Sequence, residues 1–174
     1  MSAVLADERA RTGRADVHAI WFGLAAFLAF AAVGLALVSQ HAFDMQPCPW
    51  CILQRLIYVV FGIVALIGLV GRRVPVVAGA SGVAGLMLAC CGLAAAGWQV
   101  DAEKSASCNL TLADRIVSAT QLDRLLPGAF EARASCADAA VSVLGMPYWK
   151  LSSACFALCL MLMLAVLRNV RLDD

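Results

Sequence analysis

Apolar residues fall in four long runs along the chain. Ala19 to Val38 is 20 residues without a charge, and Ile52 to Val70 is 19 residues interrupted only by Gln54 and Arg55. Val74 to Val100 carries no charge, and Leu151 to Leu167 is a 17-residue run extendable backwards through Met146 to Trp149. Crossing the hydrocarbon of a bilayer takes about 20 apolar residues in a helix. The pattern therefore predicts an all-α fold, a polytopic membrane four-helix bundle formed by residues 1–174 as a single membrane domain. Its spans are expected at about 19–38, 52–70, 74–100 and 151–167. The first run exceeds the roughly 7–15 apolar residues of a secretory signal, so it reads as a retained span.

Arginine and lysine placement orients the bundle. Arg9, Arg11 and Arg14 precede the first span, Arg72 and Arg73 sit in the tight second link, and Arg168 and Arg171 follow the last span. Ser39 to Pro47 has no Lys or Arg. Both termini are thus expected in the cytoplasm, and the loops 39–51 and 101–150 on the outward face of the membrane. The longer loop should hold short helical segments. Thr111 to Asp114 and Ser135 to Asp138 read as capping boxes, Leu112, Ile116 and Ala119 form a short apolar face, and Val141, Leu144, Met146, Tyr148 and Trp149 suit the membrane interface. Within the third span, Ala78 with Gly82 and Ser81 with Gly85 place small residues four apart, spacing that lets helix backbones approach closely.

Composition adds that lipid must be the solvent. The chain is 63% hydrophobic and 14% charged, against roughly half and a quarter for a soluble domain, and its mean hydropathy is +0.85. A net charge of +1 gives no general attraction to nucleic acid.

The eight cysteines carry the candidate chemistry. In Cys48-Pro49-Trp50-Cys51, proline suits the first helical position because its missing N–H has no partner to lose there. Cys48 then caps the second helix and Cys51 lies in its first turn, where backbone amides and the helix dipole favour thiolate over thiol. That describes an activated redox pair. A short structural disulfide and a zinc site completed by Cys108 and Cys136 are alternatives. Covalent haem is excluded, because Ile52 stands where the attachment motif needs histidine. Arg55, one turn after Cys51, either snorkels to the surface or turns inward to bind a polar group beside Cys51. Cys108 and Cys136 are separated by 27 residues of the outer loop; bridged, they would constrain the unfolded loop by about 3–4 kcal/mol. Cys90, Cys91, Cys155 and Cys159 lie deep in spans and read as small buried hydrophobes. His41 and Asp44 in the first outer loop are solvated residues or proton donors.

Four spans, Cys-x-x-Cys opening the second, Arg55 four residues on, a later loop pair, and Gly145-Met146-Pro147-Tyr148-Trp149 leading into the last span together resemble the disulfide bond formation protein B family (DsbB). The resemblance covers almost the whole chain. It implies a protein-dithiol:quinone oxidoreductase that reoxidises a periplasmic DsbA-type thiol oxidase and passes the electrons to ubiquinone or menaquinone from the membrane pool. Under it, DsbA attacks a Cys108–Cys136 bridge at Cys108, Cys136 attacks Cys48 of a Cys48–Cys51 bridge, and Cys51 faces the quinone with Arg55 assisting. DsbA is a strong oxidant, with a potential of about −120 mV, so only an acceptor of higher potential can draw electrons from it. Many family members carry an Arg-His pair near the outer end of the third span, where this chain has Ala94-Ala95-Ala96-Gly97-Trp98-Gln99. Trp98 or Gln99 would substitute there, or Arg55 would act alone.

Rival classes make different demands. A vitamin K epoxide reductase type places its Cys-x-x-Cys after the loop pair, the reverse of this order. A non-enzymatic membrane subunit would have only structural disulfides. A transporter would want ionisable groups near mid-membrane, and Arg55 is the sole candidate in these runs.

Overall fold

The computed structural model describes residues 2–105, 112–134, 142–143 and 146–171, and the side-chain surroundings of 16–101, 112–134 and 147–170. Four helices are long and apolar enough to cross a membrane: α1 (Ser2–Ala42), α2 (Pro49–Val70), α3 (Pro75–Ser105) and, at the chain's end, α7 (Tyr148–Arg171). All four apolar runs are helical except for Val74, which lies in the turn ahead of α3, and each helix is longer than its run. The last begins at Tyr148, three residues ahead of the expected boundary. Helices α1 and α3 each pack against both α2 and α7, so the four form a ring in chain order, as in an up-and-down bundle.

Glycines set how closely α3 meets α7. A methyl at Gly82, Gly85 or Gly92 would overlap Leu167, Met163 or the Phe156 ring respectively. Small residues thus receive large ones from the facing helix, as the spacing in the third span predicted for Gly82 and Gly85. Phe156 fills the Gly92 notch and stacks on Tyr58 of α2, with ring centroids 3.9 Å apart and planes within 4°. On the other side, Ala25 and Ala29 of α1 are fully buried, and Phe22 fills the space over Gly68 of α2.

The long loop between α3 and the last span folds back onto the bundle through three short helices, α4 (Leu112–Thr120), α5 (Leu122–Leu125) and α6 (Pro127–Phe130). A two-residue antiparallel pairing, β1 (Ser142–Val143) with β2 (Met146–Pro147), turns the chain into α7. Helix α4 begins where the first capping box placed it, but a different face packs. Ala113 and Val117 are buried, whereas Leu112 and Ile116 are 55% and 39% exposed. The reason is the receiving surface. Beside Cys48 and Ile52 there is room for alanine and valine, with Phe130 closing the cluster. Thr111, Cys108, Val141, Leu144 and the second capping box around Cys136 lie outside the described residues.

Candidate functional site

The N-terminal tip of α2 is built as its sequence dictates. Cys48 is the N-cap in extended conformation, Pro49 opens the helix, and the Cys51 backbone N–H donates to Cys48 Sγ at 3.3 Å. The two sulfurs lie 2.8 Å apart, so a small movement closes the roughly 2.05 Å bond of a disulfide.

These sulfurs look in different directions. Cys48 is fully buried in a small core formed with Trp50, Ile52, Ala113, Val117 and Phe130. Above it, the N–H groups of Arg133 and Ala134 both donate to the Pro47 carbonyl, at 3.0 and 3.4 Å. The outer loop is therefore fastened one residue from Cys48. Cys51 is half-buried and lines a cavity of about 370 Å³ between α1, α2 and α7. That cavity has a long apolar wall, running from Leu28 to Ala36 of α1, and a polar outer end with Cys51, Gln54, Arg55 and Tyr148. Its volume suits a drug-sized or headgroup-sized ligand. A smaller cleft of about 30 Å³ shares Cys51, Arg55 and Tyr148 and reaches Met45, Gln46 and Pro47.

Arg55 turns inward. It is 4% exposed, which rules out snorkelling. One terminal nitrogen donates to Gln40 Oε1 of α1 at 2.9 Å and also to the carbonyl of Ala129 on α6. Gln40 in turn donates to the Gly128 carbonyl at 3.1 Å. The pair clamps α6 over the bundle. The Arg55 Nε is buried and has no acceptor among the described residues. A buried donor left bare is costly, and one on a residue lining a cavity suits a ligand acceptor.

Behind the cavity a polar chain crosses three helices. Ser152 Oγ of α7 donates to Gln54 Oε1, and Gln54 Nε2 donates to Gln99 Oε1 of α3 at 2.8 Å. Tyr58 Oη donates to the Ser152 carbonyl at 2.9 Å. Gln99 thus meets Gln54, and Trp98 packs near Trp50 with centroids 5.9 Å apart. Among the described residues, none of α3 lines the cavity. His41 is exposed, its Nδ1 2.9 Å from the Leu37 carbonyl. Asp44 is exposed and accepts from Gln46 Nε2.

The family profile for Disulfide bond formation protein DsbB matches residues 18–166. The chain belongs to the DsbB family. Relatives named Disulfide bond formation protein B agree over most of their length. That of Ralstonia nicotianae is 32% identical over 155 residues, covering 87% of this chain and 95% of the relative. That of Cupriavidus metallidurans is 33% identical over 135 residues, 75% of this chain and 82% of the relative. That of Pseudomonas syringae pv. tomato is 34% identical over 154 residues, covering 85% and 89%. No solved structure matches the chain. This DsbB-family protein is accordingly a membrane protein of disulfide bond formation.

Of the predicted site residues, Cys48, Cys51 and Arg55 come together at the N-terminal end of α2. Cys108 and Cys136 lie outside the described residues. Sequence reasoning missed Gln40, Tyr58, Ser152 and Cys155 as parts of the site. Polar residues inside apolar runs were the available signal for Tyr58 and Ser152. Cys155, expected to be a buried hydrophobe, lines the cavity, and Cys90 and Cys91 are exposed on the bundle's outside.

Proposed function

We propose that this protein is an inner-membrane protein-dithiol:quinone oxidoreductase that reoxidises a periplasmic DsbA-type oxidase and delivers the electrons to ubiquinone or menaquinone. The observation that carries this reading is the division of the Cys48–Cys51 pair, one sulfur packed under the outer loop and the other lining an apolar cavity beside Arg55.

The loop side supports the exchange steps. DsbA dithiol attacks the Cys108–Cys136 bridge at Cys108, and the released Cys136 thiolate attacks Cys48. Ala134 is pinned to the carbonyl of Pro47, and Cys136 follows it by two residues, a stretch of chain that reaches at most about 7 Å. That tether supports attack on Cys48 rather than on Cys51, which lines the cavity on the other side. Because Cys48 is buried beneath Ala113, Val117 and Phe130, this patch must loosen for the sulfurs to align. The Cys48–Cys51 bond breaks as the Cys136–Cys48 bond forms, and Cys51 leaves as a thiolate, stabilised by the amides of the first helical turn.

The cavity fits a quinone headgroup and its apolar tail: about 370 Å³, an aliphatic wall, and a bare donor at the polar end. A quinone bound there supplies a sink for two electrons and two protons. Arg55 orients a ring carbonyl and stabilises negative charge developing on it; its guanidinium is already fixed by Gln40 and Ala129, so little reorganisation is needed. Cys51 sits one helical turn away. The second DsbA thiol attacks its mixed disulfide and leaves as oxidised DsbA, and the freed Cys108 thiolate takes Cys136 back from Cys48 and restores the loop bridge. The resulting Cys48 and Cys51 dithiol would give two electrons and two protons to the bound quinone as the Cys48–Cys51 bond re-forms. Both termini lie in the cytoplasm in this orientation, with the cysteine pairs on the periplasmic face.

Anaerobic mixing of purified protein, reduced DsbA and a short-tailed ubiquinone, followed by thiol counting, tests the proposal. Catalytic loss of DsbA thiols is expected, abolished by Cys51→Ser and by Cys108→Ser. Undiminished turnover in both variants would leave a membrane subunit with structural disulfides as the better reading.

A further inference from the structure

A cysteine that the relay does not use opens onto the same cavity. Cys155 of α7 is half-buried and lines it together with Tyr58 and Ser152, while Cys159, one turn on, is fully buried in the core. Tyr148, Leu151, Ser152 and Cys155 form one stripe of α7, at i, i+3, i+4 and i+7. Seven residues of helix rise about 10 Å, and on α2 Cys51 and Tyr58 are separated by the same seven. The Tyr58 hydroxyl bonds to Ser152, which brings Tyr58 and the Cys155 end of the stripe to a similar depth. The cavity therefore has a redox sulfur at its outer end and a second sulfur about one ring system deeper. Arg55, one turn past Cys51 and before Tyr58 on α2, lines the same cavity and has a buried Nε with no acceptor among the described residues, so a carbonyl drawn to this guanidinium would leave the far edge of a ring pointing inward.

We infer that Cys155 is a covalent modification site for quinones that carry an unsubstituted ring carbon. The inference rests on the cavity holding a quinone headgroup, as proposed above. In the step, the Cys155 S–H bond breaks and sulfur bonds to the open ring carbon. The thiol proton ends on one ring oxygen, and the proton displaced from that carbon ends on the other. The product is a hydroquinone thioether with the mass of one whole quinone added, and no further oxidant or reductant is needed. A quinone substituted at every ring carbon occupies the cavity without forming this product. Holding the ring beside the thiol raises its effective concentration far above that in the membrane, which Cys90 and Cys91, on the outside of the bundle, do not share. Such an adduct plugs the cavity, so these quinones become time-dependent inactivators.

The test uses the purified full chain in its oxidised form, with both relay pairs bridged, and 2-methyl-1,4-naphthoquinone as the probe. Peptide mapping by mass spectrometry follows adducts over time, with and without excess short-tailed, fully ring-substituted ubiquinone. Cys155 should be modified at least about tenfold faster than Cys90 or Cys91, and the ubiquinone should slow that modification about tenfold. Turnover should decline with preincubation, and in Cys155→Ser the probe should accelerate no such decline. Absence of a Cys155 adduct while the naphthoquinone is still used as electron acceptor would overturn the inference and leave the quinone cavity standing. Modification of Cys155 at the Cys90 rate, indifferent to the competitor, would also overturn it. Failure of every quinone to support oxidation of DsbA would overturn the inference together with the function on which it rests.

Discussion

Replacing Arg55 with methionine removes a guanidinium that touches three things: Gln40, the Ala129 carbonyl, and the polar end of the cavity. The substitution keeps an apolar stem of similar length but takes the donor from Gln40 and the Ala129 carbonyl, at about 1–3 kcal/mol for each acceptor left bare, so a lower Tm in detergent is expected and kinetics are compared below that Tm. A hydrogen bond to a charged group contributes about 1.5–3 kcal/mol, and each 1.4 kcal/mol is tenfold in affinity. If Nε donates to a quinone carbonyl, the apparent KM for quinone should rise about tenfold to a hundredfold. Exchange between DsbA and the loop bridge does not use the cavity, so its single-turnover rate should stay within about threefold of wild type, a change worth under roughly 1 kcal/mol. Steady-state turnover against quinone concentration at saturating DsbA gives the first quantity, and anaerobic stopped-flow mixing without quinone gives the second. Because Arg55 also clamps α6, Gln40→Ala is the control: it loosens the clamp and keeps the guanidinium. A folded Arg55→Met protein with unchanged quinone KM would refute the reasoning, as would an equal rise in Gln40→Ala.

Other expectations follow from the same contacts. Gln40→Ala removes the bonds to Gly128 and Arg55, so amide exchange across 126–130 should accelerate about tenfold, equivalent to one hydrogen bond of about 1.4 kcal/mol, read by hydrogen exchange with mass spectrometry; unchanged protection would mean that the clamp carries no load. With a DsbA that lacks its second cysteine, the wild-type chain should trap a Cys136–Cys48 crosslink, visible in non-reducing peptide maps, whereas Cys51→Ser offers no Cys48–Cys51 bond for Cys136 to attack and should keep Cys136 and Cys48 as thiols; a Cys108–Cys48 crosslink instead would reverse the assigned order. Gly92→Ala presses a methyl into the Phe156 ring, itself braced by Tyr58, and should destabilise the bundle by about 1–3 kcal/mol, seen as a lower Tm in detergent; an unaltered Tm would show that the ring pair yields freely. Gln54→Leu withdraws partners from Gln99 and Ser152 and should cost about 1–3 kcal/mol in the same assay, where a neutral result would discount the polar chain.

What could be read from sequence was what local rules determine. Four apolar runs specify four helices, because a bilayer leaves backbone amides no other partner. Cys48-Pro49 announces its own helix start, and the four-residue step from Cys51 puts Arg55 on the same side as the reactive end. The rest depends on which helices meet. Nothing near Arg55 in sequence indicates that its partners would be Gln40 and Ala129, 15 residues upstream and 74 downstream. Tyr148 and Ser152 join the cavity only because α7 packs beside α1. Helical spacing marks Leu112, Ile116 and Ala119 as the apolar face of α4, yet Ala113 and Val117 pack instead, in the cluster with Cys48 and Ile52. Gln99 stands in the stretch where many family members carry Arg-His, and it bonds to Gln54 instead of lining the cavity; only the tertiary arrangement separates those two roles.

The central claim is that Cys51 meets its oxidant between α1, α2 and α7. Photo-crosslinking with a quinone bearing a photoreactive group on its ring, mapped by mass spectrometry, tests it directly. Labels are expected within 28–39 of α1, 51–58 of α2 and 148–155 of α7, and should disappear with excess unlabelled quinone. Competable labelling concentrated in 94–99 of α3, with none on α1 or α7, would contradict the account.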